Sequence, residues 1–398
     1  MINFNNYWTA QTAIFLVVLI VAVFVSIRKK KESGPMPKET SNELRGLAIL
    51  AVIFVHLTYG KFYGTDFLFP VGIWSGIAVS LFFFLSGYGL AASAIYHPKP
   101  IKEFFKKRVL KIYLPLWISL IIFLIIDAIF LSRTYPVSEM ISSFIGFFPK
   151  ADLFTSINSP LWFLTPLLLF YLVFPFVFRP KHPIISSAVL LALSFLVFVP
   201  GWPVSAQIAG FYQVHFLAFP LGAIFATMIV SPQTACPNCL RRDKCPAYWL
   251  NQKIKSGAGK LKRQKFFAGV LTRFEAWPFI FRLILMAALV FLAGYTAYNS
   301  GVGKGIWPEQ LIGLFTMFCL IALFLLKRTK FVLLEIIGIY SFEIYLLHWP
   351  LIGRYDFLYP RLPAALATII YLAIFLGLGY LLQKFCSLIT RKRSARQS

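Results

Sequence analysis

Acidic side chains are scarce in this 398-residue chain, which has 14 Asp and Glu residues against 39 Lys and Arg residues. Charged residues of both signs make up only 13% of the sequence, whereas hydrophobic residues make up 59%. So few charges cannot cover the surface of a water-soluble protein of this size. The mean hydropathy of +0.75 and the many long apolar runs therefore predict a polytopic membrane protein.

Two other patterns are lacking. The apolar runs do not alternate with polar residues, which excludes a membrane β-barrel and predicts an all-α transmembrane helical bundle. The positive charges at 28–31 follow the first apolar segment instead of preceding it, which argues against a secretory signal peptide. Eleven spans are predicted. They cover residues 9–27, 44–60, 71–96, 113–131, 160–178, 183–200, 206–230, 276–298, 306–326, 331–352 and 363–387.

This pattern divides the chain into four parts and gives it an orientation. The parts are a leading anchor at 1–32, a cytoplasmic linker at 33–43, a membrane domain at 44–390 with a basic loop at 231–273, and a basic tail at 391–398. With the N-terminus outside and the C-terminus in the cytoplasm, all but six basic residues lie on the inner side, as expected for a multi-pass protein of the cell membrane. The six are Lys61, Arg133, Lys150, Lys304, Arg354 and Arg361.

The net charge of +25 does not predict a nucleic-acid partner. Such a protein would carry its basic residues on a polar domain, and here they lie between the spans. We expect contacts with the lipid bilayer instead.

Cysteine is also rare, and three of the five cysteines fall in the basic loop, at Cys236, Cys239 and Cys245. A reducing cytoplasm argues against a structural disulfide there. Free or redox-active thiols are the favoured interpretation. A zinc site is the alternative, although no fourth ligand is evident.

The main candidate site pairs Arg45 with His56 on the second span. Eleven residues of helix place the two side chains on one face, about 16 Å apart along the axis. A titratable group inside a bilayer is functional by default. The alternative is a structural histidine bonded between helices and an arginine that marks the cytoplasmic end.

Basic residues at the inner end of the fourth span, 113–131, form a second candidate site. Lys107, Arg108 and Lys111 suit the phosphates of a coenzyme A-type donor. The alternative is a helix that contacts anionic lipid head groups and helps to set the topology.

Five polar residues within the spans are further candidates. The guanidinium of Arg282 must reach the membrane surface, form an ion pair or bind an anion. His215 is a candidate for lining an active cavity. Glu343 and His348 are five residues apart and are predicted to lie on different helix faces. Ser86 is best explained as a small residue at a helix contact.

Five segments, taken in order, resemble the acyltransferase-3 family of membrane O-acyltransferases. Arg45 and His56 match the family's Arg-x10-His signature, and residues 82–88 (FFFLSGY) resemble its FF-x-L-S-G-F/Y segment. Residues 107–117, 160–175 and 340–350 are similar to its basic, W-F-L and S-x-x-I-Y-L-x-H-x-P segments. The third segment has Arg108-Val-Leu-Lys111 where relatives carry Arg-x-x-Arg. Residues 162–171 lack the acidic pair of members that modify peptidoglycan.

The resemblance implies an acyltransferase with acyl-CoA as co-substrate and no tightly bound cofactor. The acyl group, acetyl in the simplest case, would pass from cytoplasmic acyl-CoA to a hydroxyl of a carbohydrate or glycolipid, as in the O-acetylation of polysaccharides. His56 would be the general base, and Arg45 would hold the donor. A transporter or exporter of a glycan or lipid-like solute is the alternative, with His56, Arg282 and Glu343 as its cavity residues.

Overall fold

The computed structural model describes residues 4–32, 36–72, 74–150, 155–158, 160–201, 206–229, 277–300 and 304–395. Within these ranges the fold consists of α-helices with one short two-stranded ribbon, which confirms the predicted all-α membrane bundle. Helices α1–α8 cover Phe4–Val25, Lys38–Val55, Phe69–Gly72, Ser75–Tyr96, Ile101–Arg108, Leu114–Leu131, Val137–Ile145 and Leu164–Val177. Helices α9–α16 cover Pro183–Phe198, Ala206–His215, Ala218–Ile229, Phe279–Tyr298, Ile306–Leu326, Val332–Ile339, Ser341–Gly353 and Ala364–Ala395. The strands are β1, Ile27–Lys29, and β2, Thr329–Phe331.

All eleven predicted spans coincide with helices, but not all of these helices are long enough to cross a bilayer. Among the described residues, eight helical segments meet the length and hydropathy of a span. A ninth is formed if α14 and α15, which meet at a bend of 77°, act as one broken span. The remaining two, Leu161–Val177 and Pro183–Phe198, are shorter apolar helices. The second span begins at Lys38, six residues before the predicted start.

Glycines allow α2 to touch α14 with its backbone. A Cβ atom at Gly46 would lie 2.0 Å from the carbonyl oxygen of Leu334, and one at Gly338 would lie 1.8 Å from that of Asn42. No larger residue fits at either position, because real Cβ atoms do not approach oxygen this closely. This contact fixes the distance between α2, which leads to His56, and α14, the helix directly before the one that carries His348.

The chain around β2 is joined to β1 by strand pairing and to α2 by ion pairs. Strand β1 pairs antiparallel with β2, and Lys327 at the end of α13 pairs with the buried Glu43 of α2. Lys330 lies 2.7 Å from carboxylate oxygens of both Glu335 and Glu39, and these two groups raise the pKa of its ammonium.

A buried ion pair holds the opposite end of α15 against α6. Arg354 and Tyr355 both donate hydrogen bonds to the carboxylate of Asp127, which is fully buried on α6, and Tyr135 donates a third. Removing one partner of such a pair typically costs about 3–5 kcal/mol, because the other charge stays buried. The cluster therefore fixes the position of the helix that carries His348.

The connection after α6 folds back into the bundle, whereas the predicted spans leave it as an outer loop. At the end of α7, the carbonyl of Ile145 accepts a 2.8 Å hydrogen bond from the hydroxyl of Tyr113, and that of Phe144 accepts one of 2.8 Å from the indole of Trp117. Tyr113 and Trp117 lie at the start of α6, so α7 runs back along that helix. Non-helical backbone at membrane depth is tolerated where protein buries it or where it lines a cavity.

Candidate active site

A cavity of about 1030 Å³ lies inside the bundle. Its wall includes residues of α2, α4, α5, α10 and α15, together with the chain around Trp162. Arg45 and His56 both line it, so the structure places the two residues of the predicted signature on one space.

Small residues of α4 form one wall of this cavity. They are Gly76, Ser80, Ser86, Gly89 and Ser93. From first to last they span 17 residues, or about 26 Å of helix, which approaches the thickness of the hydrocarbon core. The cavity is therefore long, and Ser86 is part of its wall.

Four cations line one end of the cavity: Arg45, Lys107, Arg108 and Lys111. Among the described residues, none of them lies within ion-pair distance of a carboxylate, although Glu343 lines the same cavity. The guanidinium of Arg108 lies over the rings of Tyr171 and Phe104, at 5.2 and 5.5 Å from their centroids.

The Nε atom of Arg108 is buried and has no hydrogen-bond partner in the described part of the chain. A buried donor without a partner is costly. A cluster of cations that the described part of the chain leaves without carboxylate partners suits an anionic ligand such as a polyphosphate.

His56 does not act alone, because it is hydrogen-bonded to His348. Its Nδ1 lies 2.8 Å from Nε2 of His348, and the two rings are nearly parallel, with centroids 5.0 Å apart. His56 lines the cavity, while His348 is fully buried behind it. The predicted cavity residue His348 is thus a partner of the predicted base.

The hydrogen bonds of His348 determine which nitrogens carry protons. Its Nδ1 faces the carbonyl oxygens of Tyr345, at 2.9 Å, and Ile344, at 3.2 Å. A carbonyl can only accept, so Nδ1 of His348 carries a proton and, in the neutral ring, its Nε2 is the acceptor. His56 then donates from Nδ1. Its own Nε2 is left with a lone pair, as a base or a nucleophile requires.

A break in regular helix positions the ring of His56. The α-helical hydrogen bonding of α2 ends at Val55, and His56–Lys61 forms a π-helical turn of the kind often found at functional sites. The ring of Trp349 lies 5.5 Å from that of His56. Gly60 allows this approach, because a Cβ atom there would lie 2.3 Å from the indole.

The remaining candidates fall in different places. Glu343 lines the cavity, and so does His215, which is hydrogen-bonded to Ser80. Arg282 does not line it. Its guanidinium donates a 2.9 Å hydrogen bond to the carbonyl of Leu326 and so joins α12 to the end of α13.

No group of His, Cys, Asp and Glu side chains that could hold a metal ion is present among the described residues. The predicted thiols of Cys236, Cys239 and Cys245 lie outside those residues.

Sequence reasoning missed two pairings. The contact between His56 and His348 joins residues 292 positions apart, and the contact between Ser80 and His215 joins residues 135 apart. The sequence did point to His348, because it belongs to the segment at 340–350 that resembles the family. Nothing in the sequence distinguishes Ser80 from the other serines of its helix.

Together the fold and the cavity define a class: a helical membrane protein with a histidine pair and a cluster of cations around one internal space. The family model described as the acyltransferase domain matches residues 42–384. The chain therefore belongs to the acyltransferase-3 family.

A curated relative, acyltransferase MdmB of Streptomyces mycarofaciens, is 34% identical to this chain over 151 residues. The match covers 34% of this chain and only 38% of the relative. No solved structure matches.

Proposed function

We propose that the protein transfers an acyl group, acetyl in the simplest case, from cytoplasmic acyl-CoA to a hydroxyl of a carbohydrate or glycolipid. One observation carries the proposal above all. One cavity joins cations that pair with no carboxylate of the described residues to a histidine whose Nε2 is available as a base.

In this proposal the cation cluster binds the phosphates of the donor. Arg45 and Arg108 are half-buried in the cavity wall, whereas Lys107 and Lys111 are more exposed. This arrangement suits a ligand with phosphate groups at one end. Because Arg45 and His56 lie about 16 Å apart along one helix, the thioester of a long donor could reach His56 while its phosphates stay on the cations.

His56 then acts on the acceptor. Its Nε2 removes the proton of the acceptor hydroxyl as that oxygen attacks the thioester carbonyl. The C–S bond breaks, and the leaving CoA sulfur takes the proton back from His56. His348 stabilises the transient imidazolium by accepting the hydrogen bond from Nδ1. Attack by Nε2 itself, through an acyl-histidine, needs the same lone pair.

Polar residues at the other end of the cavity support a polar acceptor. Asn299, Ser300, Lys304 and Glu309 line it there, close to the start of α13. Such side chains suit the hydroxyls of a sugar better than a purely apolar molecule.

The first prediction concerns donor binding. Lys107→Gln, Arg108→Gln and Lys111→Gln should each raise the apparent KM for acetyl-CoA by about tenfold and change kcat less, because phosphate contacts persist from ground state to transition state. Steady-state kinetics of the purified protein measure both constants. Lys102→Gln is the matched control, since Lys102 lies on the same helix but does not line the cavity. An unchanged KM in the cavity variants would leave these residues with a topological role only.

The second prediction concerns orientation. In a variant without native cysteines, Tyr63→Cys should react with an impermeant maleimide on intact cells, and Lys181→Cys only after permeabilisation. Tyr63 is 82% exposed beyond the π-helical turn, and Lys181 is exposed on the predicted inner side. The reverse labelling pattern would put the cation cluster outside, away from cytoplasmic acyl-CoA.

A further inference from the structure

Ser80 and His215 form a second polar pair in the cavity, on helices other than those of His56 and His348. The Oγ atom of Ser80 lies 2.9 Å from Nδ1 of His215. The side chains are 3% and 5% exposed, and both line the cavity. The proposed donor site and proton transfer make no use of this pair.

The pair leaves hydrogen-bonding capacity for a ligand. The two side chains share one hydrogen bond, between Oγ of Ser80 and Nδ1 of His215. No described residue supplies a hydrogen-bond partner for Nε2 of His215. A polar group inside an apolar bundle is stable when it is paired. A molecule in the cavity could pair with Nε2, and the serine hydroxyl has a further lone pair to offer.

An aromatic wall adjoins this pair. Trp162 stacks on His215, with centroids 6.1 Å apart and an interplanar angle of 22°, and on Phe211, at 5.2 Å and 29°. All three residues line the cavity. Apolar faces beside a few fixed polar groups are the usual composition of a site that orients a small ligand. A pyranose ring, with a C–H face and hydroxyls at its edge, has the matching chemistry.

We infer that Ser80 and His215 bind a second hydroxyl of a polyol acceptor and, together with Trp162, orient its ring so that one other hydroxyl reaches His56. This inference rests on the proposed function and deepens it, because it makes the acceptor a compound with at least two hydroxyls. Ser80 and His215 are positioning residues, and they set which hydroxyl is acylated.

The test uses acetyl-CoA as donor and octyl β-D-glucopyranoside and its monodeoxy analogues as acceptor probes. His215→Phe keeps an aromatic ring against Trp162 but removes both nitrogens, and Ser80→Ala removes the hydroxyl. His182→Phe and Ser194→Ala are matched controls, since neither residue lines the cavity and the hydroxyl of Ser194 donates to the carbonyl of Leu190 within its own helix.

With wild type, one monodeoxy analogue should have an acceptor KM about tenfold above that of the parent sugar. With His215→Phe or Ser80→Ala, the KM of the parent should rise by about tenfold, and its advantage over that analogue should disappear. The KM for acetyl-CoA and the hydrolysis of acetyl-CoA without acceptor should stay within about twofold of wild type.

Full discrimination among the deoxy analogues in the variants would overturn the inference and leave the proposed function standing. An equal rise in both KM values would do the same, since it would indicate a structural role. Wild-type protein that consumes no acetyl-CoA with any of these sugars would overturn the proposed function with this donor, and the inference with it.

Discussion

A His56→Gln variant should lose acyl transfer by about 100-fold to 10,000-fold, the usual cost of removing a general base. Glutamine keeps a polar side chain of similar length, and its amide can still donate to His348. It has no basic nitrogen, however, so the variant has no group at this position that accepts the proton of the acceptor hydroxyl. The measurement is kcat for CoA release in the presence of acceptor.

The protein should still fold, because the exchange leaves a polar group beside the buried acceptor of His348. The size-exclusion profile and the thermal stability of the variant in detergent show whether it is folded. His97→Gln is the matched control, since His97 is exposed and does not line the cavity. Near-normal turnover by His56→Gln would make His56 a structural residue of the core.

His348→Phe should lower kcat by about 10-fold to 100-fold, by analogy with the loss of a partner that orients a metal-bound histidine. The phenylalanine keeps a ring in the fully buried site but cannot accept a hydrogen bond from Nδ1 of His56. The tautomer of His56 is then no longer fixed, and its imidazolium loses a stabilising hydrogen bond. The KM for acetyl-CoA should change little, because His348 does not line the cavity.

Two further variants separate this role from simple packing. His348→Gln restores a hydrogen-bond acceptor and should recover part of the lost kcat. The double variant His56→Gln, His348→Phe should be no slower than His56→Gln alone, because residues that act as a unit are not additive. Additive losses would show that His348 acts on something other than His56.

The fold was predictable from the sequence to the extent that apolar length determines it. Runs of about 20 apolar residues identify membrane helices, and each predicted span coincides with a helix, although Leu161–Val177 and Pro183–Phe198 are shorter than a full span. The return of α7 along α6 was not predictable, because its nine residues are too few for a span and polar residues interrupt them. The hydrogen bonds from Tyr113 and Trp117 to its last turn show where it lies.

The candidate site, like the fold, was predictable from the sequence only in part. The periodicity of one helix places Arg45 and His56 on a common face, and that relation could be read directly from their spacing. The pairing of His56 with His348 depends on how two distant helices pack. Backbone contact at Gly46 and Gly338 brings α2 against α14, the helix directly before the one that carries His348, and no local pattern specifies which helix each glycine meets.

Release of CoA is the most direct test of the central claim that this cavity transfers an acyl group from a cytoplasmic thioester. Purified protein in liposomes is supplied with acetyl-CoA and a glycoside acceptor, and free thiol and acylated glycoside are measured together. Wild type should form both in equal amounts, and His56→Gln should form neither above background. Movement of the glycoside across the bilayer without release of free thiol would contradict this account and identify a transporter.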